Sequence, residues 1–292
     1  MGILDRFKKL FEPVQKLDVG TRFVLEQTSI TGTMSKFRVA REIKTGRVMG
    51  LKFLDSEKTD HFNSRFKGLN KPSEGEIAMQ IVHRNVVKTF EYGITTNNQH
   101  YILMEYIDGK GVNTLIKERN PKMIENRMKL IRQMCNALQA VHDAGFIHRD
   151  VCPRNFIATT KVNELKLIDF GLTVPNQPEF RQPGNRTGTP QYMAPEIVRR
   201  RSTDIRVDVF ALGVTVYRML AFEHPWGSTE TTGLAALAHD TRPATSIAVH
   251  RPNLHPNLIK AVDRCLEKEP DKRPKTVKHF LSLIKEVKEE EV

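Results

Sequence analysis

The chain has few cysteines, no long apolar run and no internal repeat. Its three cysteines, Cys135, Cys152 and Cys265, are too few and too scattered for a disulfide framework or a metal cluster, so a reducing, intracellular compartment is expected. No apolar stretch approaches the ~20 residues of a membrane-spanning helix, and none reads as a secretory signal. The expected location is therefore cytoplasmic. What is present is ordinary for a globular protein: 292 residues, 39% hydrophobic and 27% charged, enough for a large core in one or two domains. The net charge is +12, from 46 basic and 34 acidic residues. That excess suits acidic partners, nucleotide or a membrane surface, and equally a plain solvated basic surface.

The first 107 residues read as strands with one short helix. Lys36–Ile43 and Arg47–Asp55 flank Lys44-Thr45-Gly46, a hairpin signal, and Lys88–Thr95 with His100–Tyr106 make a second hairpin. Between them Pro72-Ser73 precedes Ile77, Met79, Ile81 and Val82, which reads as a helix with proline in its first turn. Past Asp108-Gly109-Lys110-Gly111 the pattern turns helical. Ile124, Met128, Ile131, Cys135, Leu138 and His142 recur at spacings of three and four, and Gly145 ends that helix. Leu165–Ile168 reads as a short strand, Val207–Leu220 as a buried helix, and Leu258–Leu266 and Val277–Val287 as closing helices. Within Met1–Phe11, Ile3, Leu4, Phe7, Leu10 and Phe11 form a stripe opposite Arg6, Lys8 and Lys9. It suits weak contact with a membrane surface, or packing on its own domain.

Three strings then carry chemistry. Residues 148–155 read His-Arg-Asp-Val-Cys-Pro-Arg-Asn, Asp169-Phe170-Gly171 follows, and Gly188-Thr189-Pro190-Gln191-Tyr192-Met193-Ala194-Pro195-Glu196 comes next. In this order they resemble the catalytic loop, metal-binding turn and substrate-docking segment of eukaryotic-type protein kinases, closest to the bacterial-style Ser/Thr kinases. The resemblance runs from about residue 20 to 288 and implies an α+β, bilobal protein-kinase fold. An N-terminal extension (1–19) would precede a lobe of antiparallel sheet plus one helix (20–107) and a mainly helical lobe (108–292). Phosphoryl transfer needs few parts: a group orienting the hydroxyl, ligands for magnesium, and cations holding phosphates.

In the nucleotide half, Lys52 matches the lysine that grips the α- and β-phosphates of ATP. Its ion-pair partner would be Glu74, with Glu76 as runner-up. A carboxylate at either position also complements the helix dipole. The phosphate-covering loop is eroded: Ile30-Thr31-Gly32-Thr33-Met34-Ser35 keeps only the central glycine, Gly32. The base slot would be lined by Phe37 and Gly50, where the family places valine and alanine, and by Met104, Glu105, Tyr106, Ile107 and Ile157. The larger Phe37 and the smaller Gly50 roughly conserve volume. Phe37 would stack on adenine while Gly50 leaves room, or would fill the slot and exclude nucleotide.

In the catalytic half, Asp150 matches the carboxylate that orients the acceptor hydroxyl and takes its proton. Asn155 and Asp169 match the magnesium ligands, hard oxygen donors suited to that ion. Cys152 stands where Ser/Thr kinases carry a phosphate-neutralising lysine and cannot supply that charge; Arg154 is the candidate replacement. Thr189 would bond Asp150, or merely cap the following turn. Glu196 should pair with Arg273, and Asp208 should hold the catalytic loop from below. Arg149 implies a basic pocket for a phosphorylated segment, and with Asn185 at the usual position the phosphosite candidate is Thr187. The implied partners are ATP, Mg2+ and a protein substrate with a Ser or Thr acceptor, and no nucleic acid. The rival reading is a pseudokinase acting as a nucleotide-sensing or non-catalytic scaffold.

Overall fold

Lys44-Thr45-Gly46 turns the chain as its composition dictates: Gly46 adopts φ +70°, and its amide bonds Glu42 O at 2.8 Å. The computed structural model describes residues 16–31, 34–184, 186–227 and 233–291. The amphipathic stripe of Met1–Phe11, Gly32 and Asn185 lie outside the described residues. The chain divides into two compact units, residues 1–60 with 89–106, and residues 61–88 with 107–292.

The first unit is built on an antiparallel sheet of five strands in the order β1-β2-β3-β5-β4. These are β1 (Phe23–Thr31), β2 (Ser35–Glu42), β3 (Val48–Leu54), β4 (Thr89–Ile94) and β5 (His100–Glu105), with a short helix α1 (Val19–Arg22) before them. Side chains alternate along each strand, so one face collects Leu17, Phe23, Ala40, Met49, Leu51, Tyr101 and Leu103 into a buried cluster. Each such fully buried aliphatic side chain is worth about 1.5–3 kcal/mol. Register decides the opposite face. Phe37 lies across from Lys52, Val39 from Gly50, Gly50 from Met104 and Lys52 from Ile102, which gathers Phe37, Gly50, Lys52 and Met104 on one side of the sheet.

Two helices follow β3, α2 (Ser56–Asn63) and α3 (Glu74–Gln80), so this part of the chain holds more helix than the single one expected. α3 begins with a capping box. Glu76 N donates to Ser73 Oγ at 3.2 Å and Ser73 N donates to Glu76 Oε2 at 2.6 Å. Pro72 therefore precedes the cap rather than standing in the first turn. Ile77 and Ile81 are buried while Met79 and Val82 are exposed, so only half of the apolar run faces inward.

The second unit is mainly helical: α4 (Val112–Lys117), α5 (Pro121–Glu125), α6 (Arg127–Asp143), α7 (Pro195–Val198), α8 (Arg206–Ala221), α9 (Gly233–Thr241), α10 (Ile247–His250), α11 (Pro256–Cys265) and α12 (Val277–Leu283). α6 buries Met128, Ile131, Cys135 and Leu138, and Gly145 at φ +84° ends it, its amide on His142 O at 3.0 Å. Ile124, expected on the same helix, is half out of the core on α5. α8 is buried on all sides, as its nearly unbroken apolar sequence requires. α12 ends at Leu283, earlier than expected. Small antiparallel pieces carry the site residues: β6 (Gly109–Gly111), β8 (Phe156–Thr159) and β9 (Leu165–Leu167) form one sheet, β7 (Phe146–Ile147) and β10 (Val174–Pro175) another. Among the described residues no helix is long and apolar enough to cross a membrane.

Candidate active site

The loop after β7 is anchored from beneath by a buried carboxylate. Asp208, in the first turn of α8, accepts the amides of His148 and Arg149 at 2.8 Å each and faces His142 Nε2 at 2.8 Å. Burial alone would raise its pKa, but the hydrogen bond and charge of His142 and the bonds from His148 prevail and hold it below the usual carboxylate range. Arg149 is 5% exposed and adopts φ +67°. Burial lowers its pKa to about 10; Asp208 opposes the shift and Arg65 adds to it. Two anchored amides and one strained residue thus fix where the next side chain, Asp150, emerges.

Asp150 is the centre of a hydrogen-bond cluster. Its Oδ1 accepts from Thr189 N at 2.9 Å and Thr189 Oγ1 at 2.7 Å. Its Oδ2 accepts from Asn155 Nδ2 at 3.1 Å, the same amide that bonds Asp150 O at 2.7 Å. The Thr189 hydroxyl does not cap the turn Pro190–Tyr192; it spends its proton on Asp150 and accepts from Arg154 Nη2 at 2.8 Å. A relay of donors runs Arg154 to Thr189 to Asp150.

Asn155 and Asp169 are brought together by main chain. Ile168 N bonds Asn155 O at 3.0 Å, and β8 pairs with β9 through Phe156 and Leu167. Asp169 Oδ1 accepts Gly171 N at 3.0 Å, which fixes the carboxylate beside the turn. Glu74, at the start of α3, places Oε1 3.4 Å from Phe170 N and Oε2 3.4 Å from where a side chain on Gly171 would begin. Glu76, the runner-up for that position, is committed to the capping box instead. Phe170 is buried edge-on against His148, with ring centroids 5.7 Å apart.

The donor set suits magnesium. Both Asn155 amide hydrogens' nitrogen contacts go to Asp150, which leaves the amide oxygen as the group presented elsewhere, and Asp169 adds a hard carboxylate.

Cys152 is fully buried in the same loop, 3.8 Å from Thr189 Oγ1. Burial, then the Asp150 charge, pushes its thiol up to about 11, so the residue is neutral and supplies no cation. Arg154 is the exposed cation next to it. Thr187, the phosphosite candidate, is 9% exposed and its hydroxyl has no hydrogen-bond partner among the described residues.

On the sheet unit, Lys52 is 6% exposed on β3. The Phe37 ring lies directly on Gly50: a methyl group there would come within 2.7 Å of Phe37 Cε2 and 3.1 Å of Met104 Cγ. The room that Gly50 leaves is thus taken by Phe37 itself. Glu105 ends β5, and Ile157 is half-buried on β8 of the other unit, across from Lys166. Ile107 follows at the start of that unit's second segment.

Below the site the docking segment is locked to the helical core. Arg273 donates to both carboxylate oxygens of Glu196 at 2.7 and 2.8 Å, and both side chains are buried. Sequence reasoning missed two contacts here. His142 reads as one more member of the buried face of α6, yet meets Asp208 across 66 residues. Arg218 donates to the Tyr192 hydroxyl, and nothing in its position within an apolar helix marks it.

Comparison with known proteins agrees over most of the chain. A family profile described as a protein kinase domain matches residues 28–284. The chain is similar to "Serine/threonine-protein kinase pkn3" of Myxococcus xanthus, 28% identical over 89% of this chain and 48% of that protein. It is similar to "Serine/threonine-protein kinase PknB" of Mycobacterium leprae (strain TN), 29% identical over 84% of this chain and 39% of that protein. A "Hormonally up-regulated neu tumor-associated kinase homolog" of Xenopus tropicalis is 31% identical over 83% of this chain and 34% of its own length. The chain spans less than half the length of each of these relatives.

Proposed function

This chain belongs to the protein kinase domain family, and from that premise we propose that it transfers the γ-phosphoryl group of ATP to serine or threonine side chains of proteins. The observation that carries the reading is the cluster in which Asp150 is held by Thr189 and Asn155, with Asn155 O bonded to the amide of Ile168, the residue before Asp169. The names of the bacterial relatives support serine and threonine as acceptors.

Each residue has a definite task in this reading. The acceptor hydroxyl takes over one lone pair of Asp150 Oδ1, and the proton it loses passes to that carboxylate. Thr189 keeps the carboxylate oriented while the hydroxyl arrives. Arg154, bonded to Thr189, supplies the positive charge that Cys152 cannot. Asn155 and Asp169 would hold magnesium, and Lys52 the α- and β-phosphates. Bound magnesium would screen the phosphate oxygens and so ease attack on the γ-phosphorus. Glu74 steadies the Asp169-Phe170 turn through the Phe170 amide. Phe37, Gly50, Met104, Glu105, Ile107 and Ile157 are assigned to the base.

The test is labelling of a generic basic protein with γ-labelled ATP and magnesium, followed by identification of the phosphorylated amino acids. Phosphoserine and phosphothreonine are expected in the parent. Labelling by Asp150→Asn should fall about 100-fold or more, the range for loss of a positioned general base. No labelling above that variant overturns the proposal.

A further inference from the structure

Two arginines of the helical unit stand over one aromatic ring, Phe222, and a third bonds the chain two residues before it, all outside the Asp150 loop. Arg127, the first residue of α6, is 3% exposed, and its guanidinium carbon stands 4.9 Å from the centroid of Phe222. Arg119, which is exposed, stands 5.2 Å from the same centroid. Arg251 lies close enough to repel Arg127, and donates Nη1 to Leu220 O at 2.7 Å. Among the described residues no carboxylate is within ion-pair distance of any of the three. Arg127 Nε is buried without a hydrogen-bond partner. Glu289 faces the Met128 and Lys129 amides at the start of α6, and pairs with Arg132 at 3.9 Å rather than with Arg127.

The backbone around the cluster is unusual in the same way. Phe222 caps α8 in the left-handed region at φ +61°, and Arg119 follows α4 at φ +47°. Both are positions where glycine is the unstrained choice, and a bulky aromatic is a true outlier there. Strain of this kind persists where the surroundings over-determine it, and it gathers at ligand sites. Burial, with Arg251 adding to it, lowers the Arg127 pKa to about 10.

Cation–π contact with one ring does not offset the burial of a guanidinium that lacks a counter-charge. A bound anion does. We propose that Arg119, Arg127 and Arg251 around Phe222 form a binding site for a phosphate-like dianion, taken up as free phosphate or as a phosphorylated serine or threonine side chain. Three guanidinium groups match a dianion better than a single carboxylate, and the planar fork of arginine fits phosphate oxygens in pairs. The site lies outside the assigned catalytic residues, so it is independent of the kinase reading.

The experiment follows the melting temperature of the full chain against inorganic phosphate at constant ionic strength. The parent should show a saturable rise. Arg119→Ser, which alters an exposed side chain, should move the half-saturation point at least about tenfold higher, and Arg251→Ser likewise. Phosphotransfer by Arg119→Ser should equal that of the parent. Arg127→Met should abolish the rise; because that variant alters a buried residue, the Arg119→Ser comparison decides. A phosphoserine peptide acting at tenfold lower concentration than phosphate identifies a phosphorylated side chain as the ligand, and equal or weaker action identifies free phosphate. No saturable rise, or the same midpoint in Arg119→Ser and the parent, overturns the proposal.

Discussion

Arg154 stands at one end of a chain of hydrogen bonds that ends on Asp150. Its Nη2 bonds the Thr189 hydroxyl at 2.8 Å, and that hydroxyl bonds Asp150 at 2.7 Å. Removing the only cation in this relay should cost about 100- to 1000-fold in rate, as loss of one charge-stabilising donor does in comparable sites. Initial rates of Arg154→Ala against the parent check this, and equal rates contradict it. Cys152 makes a complementary prediction. With its thiol pushed up to about 11 by burial and by Asp150, only about one molecule in a thousand carries the thiolate at pH 8. The folded protein should therefore label with iodoacetamide at this residue far more slowly than a free cysteine, and full labelling within minutes would contradict it. Asp208 gives a pH dependence. Its folded pKa is depressed, so its contribution to stability is present above the ordinary carboxylate value of about 3.9 and is lost as pH falls through the lower folded value. Urea unfolding of the parent and Asp208→Asn should show a gap that is constant near neutral pH and closes in acid.

At the scale of elements, the Phe37–Gly50 pair couples β2 to β3. Phe37 Cε2 sits 2.7 Å from where a side chain on Gly50 would begin. Gly50→Ala alone should destabilise by about 1–3 kcal/mol through overpacking, and Phe37→Val should restore most of the loss in the double variant. Thermal melts of the four proteins measure it, and additive effects would contradict the coupling. The sequence showed this exchange because both residues depart from the family pattern in opposite directions. Hairpins were legible for a similar reason: Thr45-Gly46 and the alternation around it leave one register. Helix starts were less so. Pro72 suggests a first turn, but Ser73 and Glu76 form a capping box one residue later, and the same box removed Glu76 from the site. The pairing of His142 with Asp208 was not legible, since a histidine at helical spacing on a buried face carries no mark of a partner 66 residues away.

For the molecule as a whole, the motifs were legible because phosphoryl transfer fixes residue types at fixed spacings, while the Arg119–Arg127–Arg251 cluster was not, because its members come from three separate elements. The Glu196–Arg273 pair ties the docking segment to the end of the helical unit. With Arg273 1% exposed and both carboxylate oxygens engaged, Arg273→Ala should destabilise the protein by about 3–5 kcal/mol, read from chemical denaturation. The relatives extend well beyond the stretch they share with this chain. The most direct measurement compares γ-phosphoryl transfer by the parent, Asp150→Asn and Asp169→Asn, across a magnesium titration, with melting temperatures taken alongside. The account predicts magnesium-dependent transfer to serine or threonine by the parent and about 100-fold less or lower in both variants, with melting temperatures close to that of the parent. Transfer by Asp169→Asn at the parent's rate and with the same magnesium dependence would contradict it.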